Sequence, residues 1–123
     1  MNGILCINKP QEYTSFDVVA RIRGMSKTKH VGHSGTLDPM ATGVLPVFLG
    51  TATKACDLIP DDRKAYRAQF RLGITTDTLD VFGKVLATKE SHVTGAQIEA
   101  ALDAFRGEIS QILGSNGLVG LDP

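Results

Sequence analysis

The stretch GHSGTLDPMATGVL, residues 32–45, decides how the rest of the chain is interpreted. Residues 30–43 hold three glycines and one proline and follow neither helical nor strand periodicity. Glycine permits positive φ angles and close approach of the backbone to a neighbour. The pattern therefore predicts an irregular loop of tightly specified shape, followed by a buried strand over residues 44–49.

Regular elements are predicted on both sides of this loop. Thr14 and Asp17 form a capping-box pattern that starts an amphipathic helix over residues 15–25. Thr94 and Gln97 start a second helix, with Gly107 beyond its end. Three further strands are predicted at residues 4–7, 66–72 and 84–87. One short helix is predicted at residues 52–58. Residues 66–72 give the clearest strand, because Tyr, Ala, Phe and Leu alternate with Arg and Gln without exception.

Composition limits the class of protein. The chain has 123 residues, of which 42% are hydrophobic and 21% charged, as in one soluble globular domain. No segment approaches the roughly 18 apolar residues of a transmembrane helix, and the first residues do not form a secretory signal. Two cysteines, Cys6 and Cys56, are too few for a disulfide framework or a zinc site and suit a reducing compartment. The expected location is the cytoplasm.

Positive charge is concentrated in one short segment of an otherwise neutral chain. The chain has 13 Lys and Arg against 13 Asp and Glu, but residues 21–33 contain no acidic side chain. The basic side chains of this segment are Arg21, Arg23, Lys27 and Lys29. Such a stretch indicates either contact with a phosphate backbone or simply the solvated face of a helix.

Asp38 is the candidate reactive residue of the loop. A carboxylate on a rigid loop, near His33 and downstream of a basic helix, can act as a nucleophile or a general base. The competing interpretation is that an Asp before a Pro caps a turn. A phosphate-binding Walker loop is excluded because no Gly-Lys-Ser/Thr ends the segment, and one carboxylate with two histidines (His30 and His33) lacks the spacing of a metal site.

Residues 32–45 resemble the catalytic signature of the TruB family of tRNA pseudouridine synthases. Other stretches resemble the family in the same order along the chain. They are Asn8-Lys9-Pro10 with Thr14-Ser15-Phe16-Asp17, Gly50-Thr51-Ala52-Thr53-Lys54, Lys64-Ala65-Tyr66, Arg71-Leu72-Gly73 with Thr76-Asp77-Thr78-Leu79-Asp80, and Phe105-Arg106-Gly107-Glu108-Ile109-Ser110-Gln111. The resemblance implies an α+β fold with a mixed, largely antiparallel sheet and flanking helices, of which residues 1–111 form the N-terminal part.

The resemblance also implies an activity: conversion of uridine to pseudouridine at position 55 in the T-loop of tRNA. No metal, organic cofactor, membrane or obligate protein partner is implied, and the partner is the T-arm of tRNA. Asp38 matches the family's nucleophile, with attack on the sugar or on the base left open. Tyr66 matches the residue that stacks on the target base, although its alternating pattern also fits a core aromatic. His33 matches the contact at the flipped base.

Two lysines and the basic segment complete the expected site. Lys9 and Lys64 resemble positions near the active-site cleft, where surface or structural roles are equally compatible with the sequence. Arg21, Arg23, Lys27 and Lys29 are expected to contact the RNA backbone, which would make binding sensitive to salt.

The sequence departs from the family after Gln111. The family continues with a Pro-Pro strand, a Ser-Ala-Leu-Lys block and a catalytic arginine, whereas residues 112–123 are unrelated and are expected to be disordered. Arg67 and Arg71 are the available substitutes for that arginine, but both alternate away from Tyr66. We interpret the chain as a truncated or frame-altered synthase, and the alternatives are a tRNA-binding fragment without catalysis or an inert product.

Overall fold

A computed structural model describes residues 1–59 and 63–110. These residues divide into two compact units, Met1–Tyr66 and the part of the chain from Arg67 onward. Both units combine antiparallel strands with helices, which confirms the predicted α+β class and the antiparallel pairing. The predicted tail, residues 112–123, lies outside the described residues.

The first unit is a three-stranded antiparallel sheet with one α-helix. Its elements are β1 (Gly3–Lys9), α1 (Ser15–Ser26), β2 (Val31–His33), β3 (Gly43–Leu49) and a 3₁₀ helix (Gly50–Leu58). The strand order is β1-β3-β2, so β3 lies in the centre. In the β1–β3 pair Gly3 faces Leu49 and Lys9 faces Gly43, and this register places the end of β1 beside the start of β3.

Helix α1 begins where the capping pattern predicts. The Thr14 hydroxyl accepts a hydrogen bond from the Asp17 amide at 3.0 Å, and the Asp17 carboxylate accepts one from the Thr14 amide at 2.8 Å. This reciprocal pair satisfies two amides that the first turn of a helix leaves unpaired. Val18 and Val19 on the inner face of α1 pack against β3 residues, of which Leu45 and Val47 are almost fully buried. The helix is therefore fixed to the sheet by an apolar core.

The second unit is smaller and more open. It contains β4 (Ile74–Thr76) paired antiparallel with β5 (Val85–Thr88), then α2 (Gly95–Leu102) and a short 3₁₀ turn (Asp103–Phe105). Thr94 caps α2 together with Gln97, as predicted. Every described residue from 67 to 110 is at least partly exposed. The buried apolar core of the described chain is thus that of the first unit.

The predicted strand over residues 66–72 is wrong. These residues form no strand, and side chains on its expected inner face are exposed, Tyr66 by 48% and Phe70 by 68%. Alternation shows which side chains share a face, but a strand also needs a neighbour for its backbone hydrogen bonds. None of the described strands pairs with this segment.

The remaining expectations hold with shifted bounds. Strands β1, β3 and β5 confirm the strands predicted near residues 4–7, 44–49 and 84–87. The helix expected at residues 52–58 is a 3₁₀ helix, the short strand β2 lies in the segment predicted to be a loop, and β4 lies where no strand was predicted. Cys6 and Cys56 are both unpaired thiols. In the described parts of the chain, no helix has the length and apolar character needed to cross a bilayer.

Candidate active site

Asp38 lies in the middle of the connection between β2 and β3. The Ser34 amide donates to the Pro46 carbonyl at 3.1 Å, which extends the β2–β3 pairing one residue into the connection. Further on, the Ala41 amide donates to the Asp38 carbonyl at 3.0 Å and closes a turn. Asp at the first position and Pro at the second are favoured residues of such a turn. The backbone of Asp38 therefore has the turn-forming role that its sequence context indicates.

The carboxylate of Asp38 is not used by that turn. The side chain is exposed, and within residues 1–59 and 63–110 no hydrogen bond or ion pair to its oxygens is present. A carboxylate that caps a turn accepts hydrogen bonds from nearby amides. The loop thus directs an unengaged carboxylate toward solvent, where a substrate can reach it.

Asp80 in the second unit shows the contrasting case of a turn-capping carboxylate. Its Oδ1 accepts hydrogen bonds from the Thr78 hydroxyl at 2.7 Å, the Phe82 amide at 2.8 Å and the Gly83 amide at 3.1 Å. The Thr78 hydroxyl, followed by the two amides, lowers the pKa of Asp80 below its usual value. This carboxylate stabilises the β4–β5 connection, whereas that of Asp38 stabilises no part of its own loop among the described residues.

Lys9 anchors the turn on the C-terminal side of Asp38, at Pro39. Its side chain is fully buried, and Nζ donates to the carbonyls of Tyr13 at 2.6 Å, Pro10 at 3.0 Å and Pro39 at 3.3 Å. The Glu12 amide donates to the same Pro39 carbonyl at 2.7 Å. An ammonium group has three donors, and all three are satisfied here by backbone oxygens. The geometry matches the structural alternative for Lys9.

Ser15 anchors the turn on the N-terminal side of Asp38, at Leu37. Its side chain is 3% exposed, and Oγ accepts a hydrogen bond from the Leu37 amide at 3.1 Å and donates one to the Leu37 carbonyl at 3.4 Å. Sequence reasoning did not select this residue. The signal was present, because Ser15 precedes Val18, Val19 and Ile22 on the core-facing stripe of α1, where a polar residue needs a hydrogen-bond partner.

Lys64 brings a third segment to the loop. Its Nζ donates to the Thr36 carbonyl at 3.0 Å, two residues before Asp38. Tyr66 follows Lys64 by two residues and is 48% exposed, so its ring is not a packed core aromatic. The contact therefore places the Lys64 ammonium, two residues before Tyr66 in the chain, against the loop that carries Asp38.

His33 ends β2 at the start of the loop. Its Nδ1 lies 2.5 Å from the Gly35 carbonyl. A carbonyl oxygen only accepts hydrogen bonds, so Nδ1 is the donor in this contact. Gly35 has a φ of +70°, a left-handed conformation that suits glycine. The ring is held at one edge of the loop, and it is half-buried.

The four basic residues of the charged segment are not equivalent. Arg21 in the middle of α1 is exposed, as are Lys27 and Lys29 just beyond its end. Arg23 is half-buried, and its Nη2 donates to the Val31 carbonyl at 3.3 Å, which links α1 to β2. Three of the four cations are thus available to a partner, while Arg23 also holds the unit together.

Two arginines were considered as substitutes for a missing cation beside Asp38, and neither was expected to be well aimed. Arg67 and Arg71 are both exposed and belong to the second unit. Neither makes an ion pair with a described carboxylate, since the ion pairs recorded for residues 1–59 and 63–110 involve His92 and Arg106. Over the same residues, no three His, Cys, Asp or Glu side chains are grouped as metal ligands would be.

Comparison with known proteins identifies the class to which this fold and loop belong. Residues 23–116, most of the chain, match the family described as TruB family pseudouridylate synthase (N terminal domain). The chain belongs to the TruB family of pseudouridylate synthases.

Individual relatives agree with the family assignment. The chain is 50% identical over 113 residues to a tRNA pseudouridine synthase B of Clostridium tetani, and the match covers 91% of this chain and 39% of that protein. The protein of the same name in Cereibacter sphaeroides is 51% identical over 112 residues, with 91% and 37% covered. The chain therefore spans about two fifths of the length of these relatives.

One solved structure is also similar in part. It is described as an H/ACA RNP bound to a substrate RNA containing 2'-deoxyuridine. The identity is 42%, the TM-score is 0.45, and the match covers 46% of this chain and 18% of that chain.

Proposed function

We propose that this protein isomerises uridine to pseudouridine at position 55 in the T-loop of tRNA, with Asp38 as the nucleophile. The observation that carries the proposal is an exposed carboxylate, free of hydrogen bonds from the described residues, on a loop whose backbone is anchored at Thr36, Leu37 and Pro39. The relatives named tRNA pseudouridine synthase B support the same reaction.

The chemistry needs one nucleophile and one flipped base. The N1–C1′ bond of uridine breaks, the uracil rotates, and a C5–C1′ bond forms, with N1 taking up a proton and C5 losing one to water. The product is an isomer of the substrate, so no group is transferred to another molecule. Asp38 supplies the electron pair that lets the base detach, and restoring the carboxylate at the end completes the cycle.

The other predicted residues have distinct roles around that carboxylate. We assign base stacking to Tyr66, whose half-exposed ring follows the Lys64 contact to the loop. We assign contact at the site of base flipping to His33, because an imidazole surface can replace part of the stacking that a flipped base loses. Lys9 and Lys64 support the loop through its backbone carbonyls.

Binding is assigned to the charged segment. Exposed cations are presented by Arg21 on α1 and by Lys27 and Lys29 just after it, and phosphate contacts of this kind supply affinity without reading the base sequence. Recognition of the T-arm belongs to the loop and to Tyr66, where the base is handled. A tRNA substrate and two unpaired cysteines favour the cytoplasm as the location.

A T-arm RNA hairpin labelled with [5-³H]uridine tests the proposal directly. Formation of the C5–C1′ bond releases the C5 tritium into water, so the wild-type chain should release label from the target uridine. The matched RNA carries cytidine at the target position and should release none above the background of its other uridines. Wild-type chain that releases no tritium from the first RNA would overturn the proposal.

A second candidate function is tRNA binding without catalysis, and the exposed cations of α1 favour it. The same experiment separates the two functions when retention of the hairpin is measured in parallel. Retention with tritium release supports the synthase, and salt-sensitive retention without release supports the binding module.

A further inference from the structure

We propose that Ser15 is a positioning residue for Asp38, an inference that rests on the proposed function. Two peptide groups flank the Cα atom of Asp38. A peptide group is planar, so the direction of the Cα–Cβ bond, from which the side chain extends, is set once the planes before and after the Cα atom are fixed. The carbonyl of Leu37 belongs to the plane before Asp38, and the carbonyl of Asp38 belongs to the plane after it.

Both planes are fixed, but by different groups. The Asp38 carbonyl accepts a hydrogen bond from the Ala41 amide at 3.0 Å, inside the turn itself. The Leu37 carbonyl accepts a hydrogen bond from Ser15 Oγ at 3.4 Å. Ser15 Oγ in turn accepts a hydrogen bond from the Leu37 amide at 3.1 Å. The Ser15 hydroxyl thus holds both polar backbone groups of the residue before Asp38.

The position of the Ser15 hydroxyl is itself well determined. Ser15 is the first residue of α1, between the two capping-box residues Thr14 and Asp17, and it is 3% exposed. Val18 and Val19, one turn further on, pack into the core with β3. The hydroxyl therefore links the backbone next to Asp38 to the helix and sheet that form the core of the first unit.

Lys9 and Lys64 differ from Ser15 in what they hold. Lys9 donates to the Pro39 carbonyl and Lys64 to the Thr36 carbonyl, and neither carbonyl belongs to a peptide group that flanks the Asp38 Cα atom. Loss of either contact leaves both flanking planes fixed. Ser15→Ala, in contrast, releases the plane before Asp38. The expected consequence is a carboxylate that is present but wrongly aimed.

The test compares kcat and KM for the 123-residue chain carrying Ser15→Ala with those of the wild type on the tritiated T-arm hairpin. A misplaced reacting group lowers the rate of chemistry, by up to about 100-fold for a displacement of about 1 Å. We expect Ser15→Ala to lower kcat at least tenfold while KM changes less than twofold. Thr53→Val is the control, because it removes another hydroxyl that donates to a backbone carbonyl, that of Gly50 at 2.8 Å, outside the loop.

Measuring Asp38→Asn in the same assay distinguishes failure of the positioning role of Ser15 from failure of the proposed function. An active wild-type chain, an inactive Asp38→Asn chain and an unchanged kcat for Ser15→Ala would overturn the positioning role alone. Equal tritium release by the wild type and Asp38→Asn would overturn the proposed function.

Amide hydrogen exchange in the wild-type chain gives a second measurement if Ser15→Ala melts near the assay temperature. Protection of the Leu37 amide comparable to that of β3 amides supports the hydrogen bond to Ser15. Exchange of Leu37 as fast as that of an unstructured peptide would overturn the role.

Discussion

The buried ammonium of Lys9 shows, at the scale of one residue, how this chain stabilises an irregular loop. A cation removed from water is costly unless its donors are paired. Lys9 offsets that cost with three carbonyls, of which the Tyr13 and Pro10 oxygens belong to the segment before α1 and the Pro39 oxygen to the Asp38 turn. The side chain thus ties two segments that are about 30 residues apart in the chain.

Replacing Lys9 tests this role. Lys9→Met keeps a long side chain but leaves the carbonyls of Pro10 and Tyr13 without their ammonium partner, and hydrogen bonds to a charged group contribute about 1.5–3 kcal/mol. We expect the midpoint of urea unfolding to fall accordingly. Lys54→Met, at an exposed lysine of the same unit, is the control and should unfold like the wild type. Equal midpoints for the two variants would contradict the anchoring role.

At the scale of the element, α1 shows which features the sequence specifies locally. Its start was predictable because Thr14 and Asp17 interact only with each other and with the first turn of the helix. The strand predicted over residues 66–72 failed for the opposite reason, since strand formation depends on a partner elsewhere in the chain. Short β2 was missed because three residues carry too little pattern to separate them from a loop.

The capping box makes the stability of α1 depend on pH. Hydrogen bonds from the Thr14 amide and then from its hydroxyl lower the pKa of Asp17. The unfolded chain has the ordinary aspartate pKa of about 3.9, so the folded state binds this proton more weakly than the unfolded state does. The stabilising contribution is therefore present in full above about pH 4 and is lost as the pH falls through the lowered pKa.

The measurement is the difference in free energy of unfolding between the wild type and Asp17→Asn as a function of pH. We expect this difference to be constant from pH 7 to about pH 5 and to shrink as the pH falls below about 4. Asp57→Asn, at an exposed aspartate of the 3₁₀ helix, provides the comparison and should show no such dependence on the same scale. A difference between the wild type and Asp17→Asn that stays flat down to pH 2 would show that the carboxylate does not cap α1.

For the molecule as a whole, the distribution of exposed charge predicts how RNA binding responds to salt. Neutralising Z phosphates gives a slope of log K against log[salt] of about −0.7Z for single strands and about −0.9Z for duplex DNA. If Arg21, Lys27 and Lys29 each contact one phosphate, the triple Gln variant should reduce the magnitude of that slope by about 2–3. Fluorescence anisotropy of a labelled T-arm hairpin measures it.

Arg23 provides the internal comparison for that experiment. Its guanidinium donates to the Val31 carbonyl, so Arg23→Gln should lower the unfolding midpoint and reduce the salt slope less than the triple variant does. An unchanged slope in the triple variant would place the RNA contacts elsewhere on the molecule.

The sequence nominated the residues of the candidate site, and their roles stay predictions; it did not predict the architecture of the loop that carries them. Asp38, His33, Tyr66 and Lys64 followed from the motifs of the sequence, because motifs record residue types and spacing. The anchors of the loop did not follow, since the contacts of Ser15 with Leu37 and of Lys9 with Pro39 join positions 22 and 30 residues apart. Such pairs are set by the packing of α1 on the sheet, which no local pattern encodes.

The most direct test of the account is the rate of tritium release from the [5-³H]uridine T-arm hairpin by Asp38→Asn. Asparagine keeps the shape of the side chain and the turn but lacks the anionic oxygen that attacks. The account predicts hairpin binding within about twofold of the wild type, release reduced to background, and wild-type release by the Asp57→Asn control. Release by Asp38→Asn at the wild-type rate would contradict it.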